Sequence, residues 1–432
     1  MFEDADRLAE SPAHELALEC LEAGIDAAHP RRAVERHCAL EGETLRIGNA
    51  EYDLSACDSV VILGGGKAAD DLAAAFETLL GGRLSGGVVV TNERTATPDR
   101  VDVLTGEHPT PGEGSVSGAQ AVLERAEAAD DRTLVIATIA GGGSALLCAP
   151  APGLSVGDLQ AVTDGLLGAG ASIDELNTVR RACSGIKGGG LAAAAAPATV
   201  VGVLVSDVVG DDPAVIASGP TVPTRTEPEA ALEVLDRYGI DAPPVRSYLA
   251  DADPSDPVAV DVENHVIASG RDAIDAARDV ATDRGYRTCV LSTRIEGESA
   301  AAGRIHAAIG AEAADSGDPV EPPAVLLSGG ETTVRVTGDG VGGPNGEFVL
   351  GAAGALPEGA VLGAVDTDGS DGSTDAAGGF VDWRTVDEPD AVRAALANSD
   401  SYGFLESRGG LLRTGATGTN VNDLRVLVVP DA

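Results

Sequence analysis

Val60-Val61-Ile62-Leu63-Gly64-Gly65-Gly66-Lys67, followed by the alanine- and leucine-rich run from Ala68 to Leu80, is the stretch on which the fold turns. Four apolar residues in a row, mostly β-branched and without alternation, predict a strand buried on both faces. The glycines then turn the chain, and apolar residues at helical spacing follow. The same succession recurs. Strands are predicted at Gly87-Val88-Val89-Val90, Leu134-Val135-Ile136-Ala137 and Val200 to Val205, with helical segments at Ser117 to Ala129 and Asp158 to Ala169. Strand, glycine turn and helix in alternation predict layered α/β domains with mostly parallel sheets.

Further along, Ala242 to Val260 loses this pattern and carries Asp251-Ala252-Asp253-Pro254-Ser255-Asp256-Pro257, which reads as a linker. Alternation resumes with strands expected at His265 to Ala268, Arg287 to Leu291, Ala324 to Leu327, Val361 to Val365 and Leu424 to Val429. At 432 residues the chain exceeds what one core serves, so two domains are expected, at 1–250 and 251–432, the second with its core at about 320–432.

The formal net charge is -40, from 69 acidic and 29 basic residues. Charge of that sign spread along the whole chain repels phosphate backbones and excludes nucleic acid and anionic membrane as partners. A hydrophobic content of 44% separates it from acidic disordered chains. An acidic, lysine-poor surface is expected of a salt-rich, halophilic cytosol. The acidic start Met1-Phe2-Glu3-Asp4-Ala5-Asp6 is the opposite of a basic signal peptide, and Leu191 to Val205, the longest apolar stretch, is broken by Pro197 and Gly202. A cytoplasmic protein is expected. Cysteines 20, 38, 57, 148, 183 and 289 lack metal spacing and read as small buried residues.

Only two lysines occur, Lys67 and Lys187, both beside glycine runs. A compact ammonium suits a phosphate or a charge developing on a transferred group. Motifs with chemistry follow strands, where open α/β sheets bind ligands. Gly64-Gly65-Gly66-Lys67-Ala68-Ala69 satisfies G-x-G-x-x-A, but the acidic residue that should end the second strand about 20 positions on is misplaced, since Glu93 comes too late after Gly64 for a dinucleotide site, and the segment is no Walker A loop. Gly141-Gly142-Gly143-Ser144 suits an anion nest. Ser144 lacks the nucleophile elbow, so hydrolysis is disfavoured. His108 reads as a loop histidine rather than a ligand. Glu175 to Lys187 sets Asn177, Arg180 and Ser184 at helical spacing, with Lys187 one turn on. Asp207, Asp211, Asp368 and Asp371 are candidates to orient a hydroxyl or hold Mg²⁺, or are turn formers.

Taken together these segments resemble the glycerate 2-kinase family, whose C-terminal half is the MOFRL domain. The anchors are Gly66-Lys67-Ala68-Ala69, His108-Pro109-Thr110-Pro111, Gly141 to Leu147, Glu175 to Lys187, Ser206 to Asp211, Ile216 to Thr221, Gly329 to Val334, Asp366 to Gly378 and Thr414 to Asp423. The resemblance implies two Rossmann-like domains lining an interdomain cleft. It also implies phosphorylation of D-glycerate at its 2-hydroxyl, with ATP and Mg²⁺ as cofactors. Lys67 and Asp207 match the positions that the family treats as catalytic. Gly66, Gly142, Gly143, Ser144, Asn177, Arg180, Lys187, Glu331 and Asn345 are the expected substrate- or phosphate-binding residues, with Asp211 and Asp368 for the metal. Where the family typically reads Gly-Gly-Arg-Asn, this chain has Gly342-Gly343-Pro344-Asn345 and lacks that guanidinium. An NAD(P)H-dependent hydroxypyruvate reductase and a non-catalytic sugar-acid or nucleotide-binding regulator are the alternatives. A homodimer is the assembly to be tested.

Overall fold

The computed structural model describes residues 1–256, 258–260, 262–386 and 388–431. The chain forms two compact units, Ala33–Ile267 and Met1–Arg32 with Ala268–Ala432. The first unit opens with an antiparallel meander, β1 Cys38–Glu41, β2 Thr44–Ile47 and β3 Ala50–Asp53. Its main sheet holds β4 Ser59–Gly65, β5 Gly86–Thr91, β6 Val101–Thr105, β7 Thr133–Ile139, β8 Thr199–Val205 and β9 Val262–Ala268. Their order is β6-β5-β4-β7-β8-β9, and β6/β5, β5/β4, β4/β7 and β7/β8 are all parallel.

β4 and β7 lie in the middle, and after β4 the chain goes first to one side of it and then to the other. That reversal opens a crevice at their carboxyl ends, the place where such sheets bind ligands. β7 is buried along its whole length, as the unbroken apolar run requires. Helix Ala69–Leu80 lies on the sheet through Leu72, Phe76 and Leu80, four residues apart on one face. Gly64 is where two strands come too close for a side chain, since a Cβ there would sit 1.8 Å from the Thr138 carbonyl oxygen.

A helical cluster completes this unit. Helices Val156–Gly168, Ile173–Ala182, Pro228–Arg237 and Pro243–Asp251 bury Val162, Leu166, Leu176, Val179, Leu235, Val245 and Leu249 against one another. Pro243–Asp251 partly corrects the linker reading: proline opens a helix at its first turn without loss, and Val245 and Leu249 then point into the cluster. Pro257, at the end of the supposed linker, lies outside the described residues.

The second unit is also α/β, with strands β10 Arg287–Glu298, β11 Ala324–Thr333, β12 Val361–Asp366, β13 Gly378–Asp382, β14 Leu411–Leu412 and β15 Asp423–Val429 in the order β10-β11-β15-β12-β13-β14. Here the expectation of a mostly parallel sheet is corrected. Only β10/β11 is parallel; β15 runs antiparallel to both β11 and β12, and β12/β13 and β13/β14 are antiparallel. Helices cover both faces, so the strands still read as continuous apolar runs, and such runs do not encode direction. On β12, Leu362 and Ala364 join the cluster containing helix Pro344–Ala353, while a Cβ on the intervening Gly363 would meet Leu21 of helix Pro12–Ala28. That N-terminal helix therefore belongs to the second unit. The boundaries by compactness fall at 32/33 and 267/268, whereas the sequence suggested one break at 250/251.

All six cysteines are free, and Cys20, Cys38, Cys148 and Cys183 are buried. Among the described residues no helix is long and apolar enough to cross a membrane.

Candidate active site

Two loops at the carboxyl ends of β4 and β7 are stitched together. Ala140 N–H donates to Gly65 O at 3.2 Å and Lys67 N–H to Gly141 O at 2.8 Å, while Gly66 N–H donates to Val90 O at 3.0 Å. Gly66 has φ 144°, and a Cβ on it would lie 2.5 Å from the Ala140 carbonyl oxygen. The glycines of the second loop admit functional side chains. A Cβ on Gly141 would be 2.4 Å from the Asp207 carboxylate, and one on Gly142 would be 2.9 Å from the His108 ring and 3.2 Å from Lys67 Cγ. Lys67, His108 and Asp207 therefore close around one bare backbone turn. Any side chain at 141 or 142 would drive them off it.

A cavity of about 380 Å³ opens beside this turn, lined by His108, Gly142, Ser144, Arg180, Lys187 and Asp207, with an apolar wall of Leu159, Val162, Leu166, Leu176 and Val179. Helix Ile173–Ala182 supplies Arg180, starting at a capping box in which Ser172 and Glu175 satisfy each other's backbone. Arg180 is half-buried and has no hydrogen-bond or carboxylate partner among the described residues. Burial pulls its guanidinium below the ordinary value. A desolvated cation without a counter-charge is an anion site in waiting.

Lys187 is differently committed. Its Nζ donates to the carbonyls of Ser144 at 2.7 Å and Leu147 at 2.9 Å, at the end of the short helix Gly143–Leu146, and it is 8% exposed. Burial, more than the nearby Arg180 charge, lowers its pKa to about 8. Two of three ammonium hydrogens are spent on backbone, leaving one for a ligand. The nest expected over 141–144 is likewise partly used, because Gly143 N–H donates to Ala140 O at 3.1 Å.

Behind the cavity stands a relay that the sequence did not announce. Ser144 Oγ and Ser218 Oγ are 2.8 Å apart, and Ser218 Oγ donates to Asn177 Oδ1 at 2.9 Å. Asn177 is buried and does not line the cavity, so its expected direct contact with substrate is not the one the geometry offers. Ala217 and Ser218 both adopt left-handed φ, 51° and 64°, at a cost of about 1–2 kcal/mol each. Such strain clusters at functional sites. Residue type gave no warning, since neither alanine nor serine signals positive φ. Asp211 shares the conformation at φ 59°.

The remaining expected residues belong to the second unit. Glu331 is exposed at the end of β11. Asn345 is buried and bridges carboxylates, its N–H donating to Asp371 at 2.8 Å and its Nδ2 to Asp423 at 2.7 Å. Pro344, in the arginine's place, is the first residue of helix Pro344–Ala353, where its missing N–H costs nothing. Asp368 accepts from Ser370 N–H at 2.8 Å, as a turn former does. Among the described residues no three His, Cys, Asp or Glu side chains converge to hold a metal.

An α/β enzyme handling small anions is the class that a switch-point cavity of this make-up defines. The family described as a domain of unknown function, DUF4147, matches residues 16–250, and the MOFRL family matches 324–423. The chain is 39% identical to a D-glycerate 2-kinase of Thermotoga maritima over 95% of this chain and 96% of that one, and 38% identical to a glycerate 2-kinase of Pyrococcus horikoshii over 96% and 97%. A provisionally named hydroxypyruvate reductase of Agrobacterium vitis is 41% identical over 85% and 87%. The crystal structure of the Thermotoga maritima glycerate kinase superimposes with a TM-score of 0.85 at 37% identity, covering 96% of this chain and 99% of that one. The chain belongs to the glycerate kinase family, in its DUF4147 and MOFRL form.

Proposed function

We propose that this chain transfers the γ-phosphoryl group of ATP to the 2-hydroxyl of D-glycerate, giving 2-phosphoglycerate and ADP. The observation that carries the reading is Arg180, a half-buried guanidinium without a partner among the described residues, facing a cavity that Asp207 also lines. Glycerate brings a carboxylate to such a cation and a hydroxyl to such a carboxylate. Both substrates are anionic, so a chain of net charge -40 needs local positive charge to hold them.

Phosphoryl transfer asks for positioning and charge stabilisation. Asp207 accepts or orients the proton of the 2-hydroxyl. Lys67, beside it at Gly142, balances charge on the transferring group. Arg180 and the remaining hydrogen of Lys187 hold carboxylate or phosphate oxygens. Mg²⁺ belongs to the reaction as part of Mg²⁺-ATP, and needs only one or two carboxylates beside phosphate oxygens. Asp211, whose side chain has no partner among the described residues, is the carboxylate proposed for it in the unit that holds the cavity.

Reduction of hydroxypyruvate, the activity that the Agrobacterium vitis protein's name carries, is disfavoured by the first glycine loop. Gly66 and Lys67 spend their N–H groups on Val90 and Gly141 carbonyls, where a dinucleotide loop presents such groups to a pyrophosphate. Coupled ADP release with Mg²⁺-ATP and D-glycerate in high KCl, followed by ³¹P NMR of the product, tests the proposal. A 2-phosphoglycerate resonance is expected. No ADP from a folded chain that oxidises NADH with hydroxypyruvate would replace the reading.

A further inference from the structure

The relay behind the cavity has a direction, and the direction decides what Ser144 offers a ligand. Ser218 Oγ donates to Asn177 Oδ1, which leaves Asn177 Nδ2 buried without a partner. With its hydrogen committed there, Ser218 can only accept from Ser144, and Ser144 then turns lone pairs towards the cavity. That arrangement is doubly unfavourable: an orphaned buried N–H is rarer than an orphaned carbonyl, and a lone pair repels an anion. Half a turn of the amide reverses the chain of donors without moving a heavy-atom position. Nδ2 donates to Ser218 Oγ, Ser218 donates to Ser144 Oγ across the same 2.8 Å, and the Ser144 hydrogen points into the cavity that Arg180 and Lys187 line.

We propose that Asn177, acting through Ser218, is a positioning residue that holds the Ser144 hydroxyl as a donor to an anionic oxygen of the substrate. The inference rests on the kinase reading for the identity of that oxygen, a glycerate carboxylate or a nucleotide phosphate. It assigns Ser218 a role at the site and gives a reason for two successive non-glycine residues in left-handed backbone there: that turn carries the Ser218 hydroxyl between Ser144 and Asn177.

Kinetics on Ser144→Ala, Ser218→Ala and Asn177→Asp test it, with KM for D-glycerate and for ATP measured separately. A donor lost to an anion is worth roughly tenfold to a hundredfold. Ser144→Ala and Ser218→Ala should raise the same KM by about that factor, with the glycerate value moving if the oxygen is the carboxylate and the ATP value if it is a phosphate. Asn177→Asp is the sharper probe because it preserves shape. Once ionised, the introduced carboxylate can only accept, so Ser144 loses its donor role. Arg181 on the same helix and the Lys187 ammonium on the Ser144 carbonyl favour that ionisation, and burial opposes it. Its KM should therefore rise from acid to alkaline pH relative to wild type, and the rise should vanish in a Ser144→Ala background.

An Asn177→Asp enzyme that tracks wild type at every pH, or that is impaired equally when Ser144 is alanine, overturns the proposal. Should that variant fail to fold, the Ser144→Ala/Ser218→Ala cycle decides: a double variant no worse than Ser144→Ala supports the relay, and additive losses refute it. If wild type itself releases no ADP with D-glycerate, the kinase reading has failed, and the same ordering is then sought in ADP affinities by calorimetry.

Discussion

Lys187 and Arg180 line one cavity with opposite commitments. Removing the Lys187 head leaves the Ser144 and Leu147 carbonyls without their donor inside the protein, so Lys187→Met should lower stability by about 2–4 kcal/mol. Arg180→Met, which strands no partner, should leave the melting temperature near wild type and raise KM for an anionic substrate at least tenfold. Thermal melts beside steady-state kinetics separate the two. Lys67→Ala should cost on the order of 10²–10³ in kcat with KM little changed, if its charge is used in the transition state. A variant retaining kcat would remove Lys67 from the mechanism. At this scale the sequence was most legible where a residue type is scarce, as lysine is here, or where glycine must be bare. It was least legible for Ser218, whose significance lies in a backbone angle, and for Asn345, whose burial between two carboxylates follows from strands distant in the chain.

Within the elements, the β4–β7 seam is the narrowest point. Gly64→Ala would place a methyl 1.8 Å from Thr138 O and must force the two central parallel strands apart, so a loss exceeding about 4 kcal/mol, or no soluble protein, is expected. The β11–β15–β12 seam has another character. Arg425, fully buried and stacked on the Phe348 ring, pairs with Asp423, and Asp371 caps the helix Pro344–Ala353. Burial drives the Asp371 carboxyl up to about 7 and, reinforced by Glu298 and Asp371, Glu347 to about 7 as well. Between their ordinary values near 4 and about 7 the folded chain holds protons the unfolded chain has lost, so these groups make stability fall as pH rises through that window. His306, pushed down to about 4 by burial, works the other way below 6.5. Glu347→Gln should therefore raise the urea midpoint at pH 8 by the equivalent of about 1–3 kcal/mol and leave it nearly unchanged at about pH 4. Continuous apolar runs made nearly every central strand of both sheets readable. Strand direction in the second sheet, the β1–β3 meander, and short β13 and β14 were not, because pairing partners and not local pattern determine them.

For the whole molecule, the strand, turn and helix alternation carried the class, length the number of units, and the motifs from Gly66-Lys67 to Thr414–Asp423 the family that the glycerate kinase relatives show. The assignment of Met1–Arg32 to the second unit was not legible: helix Pro12–Ala28 has the same amphipathic pattern wherever it docks. Deleting residues 1–32 should destabilise the unit that contains β12 and β15, against which that helix packs at Leu21 and Gly24, and spare the unit that holds the cavity. Hydrogen exchange by mass spectrometry would show protection lost in 268–431 and kept in 33–267; the reverse pattern would refute the assignment.

That split ownership has a consequence for birth rather than for stability. A ribosome makes helix Pro12–Ala28 long before β12 and β15, which cover it. At roughly 5–20 residues per second the helix waits on the order of half a minute, while the unit that holds the cavity is completed and can close without it. Leu16, Leu21 and Ile25, all buried in the finished protein, spend that interval exposed. Helix Pro12–Ala28 is thus the segment most in need of a chaperone during synthesis.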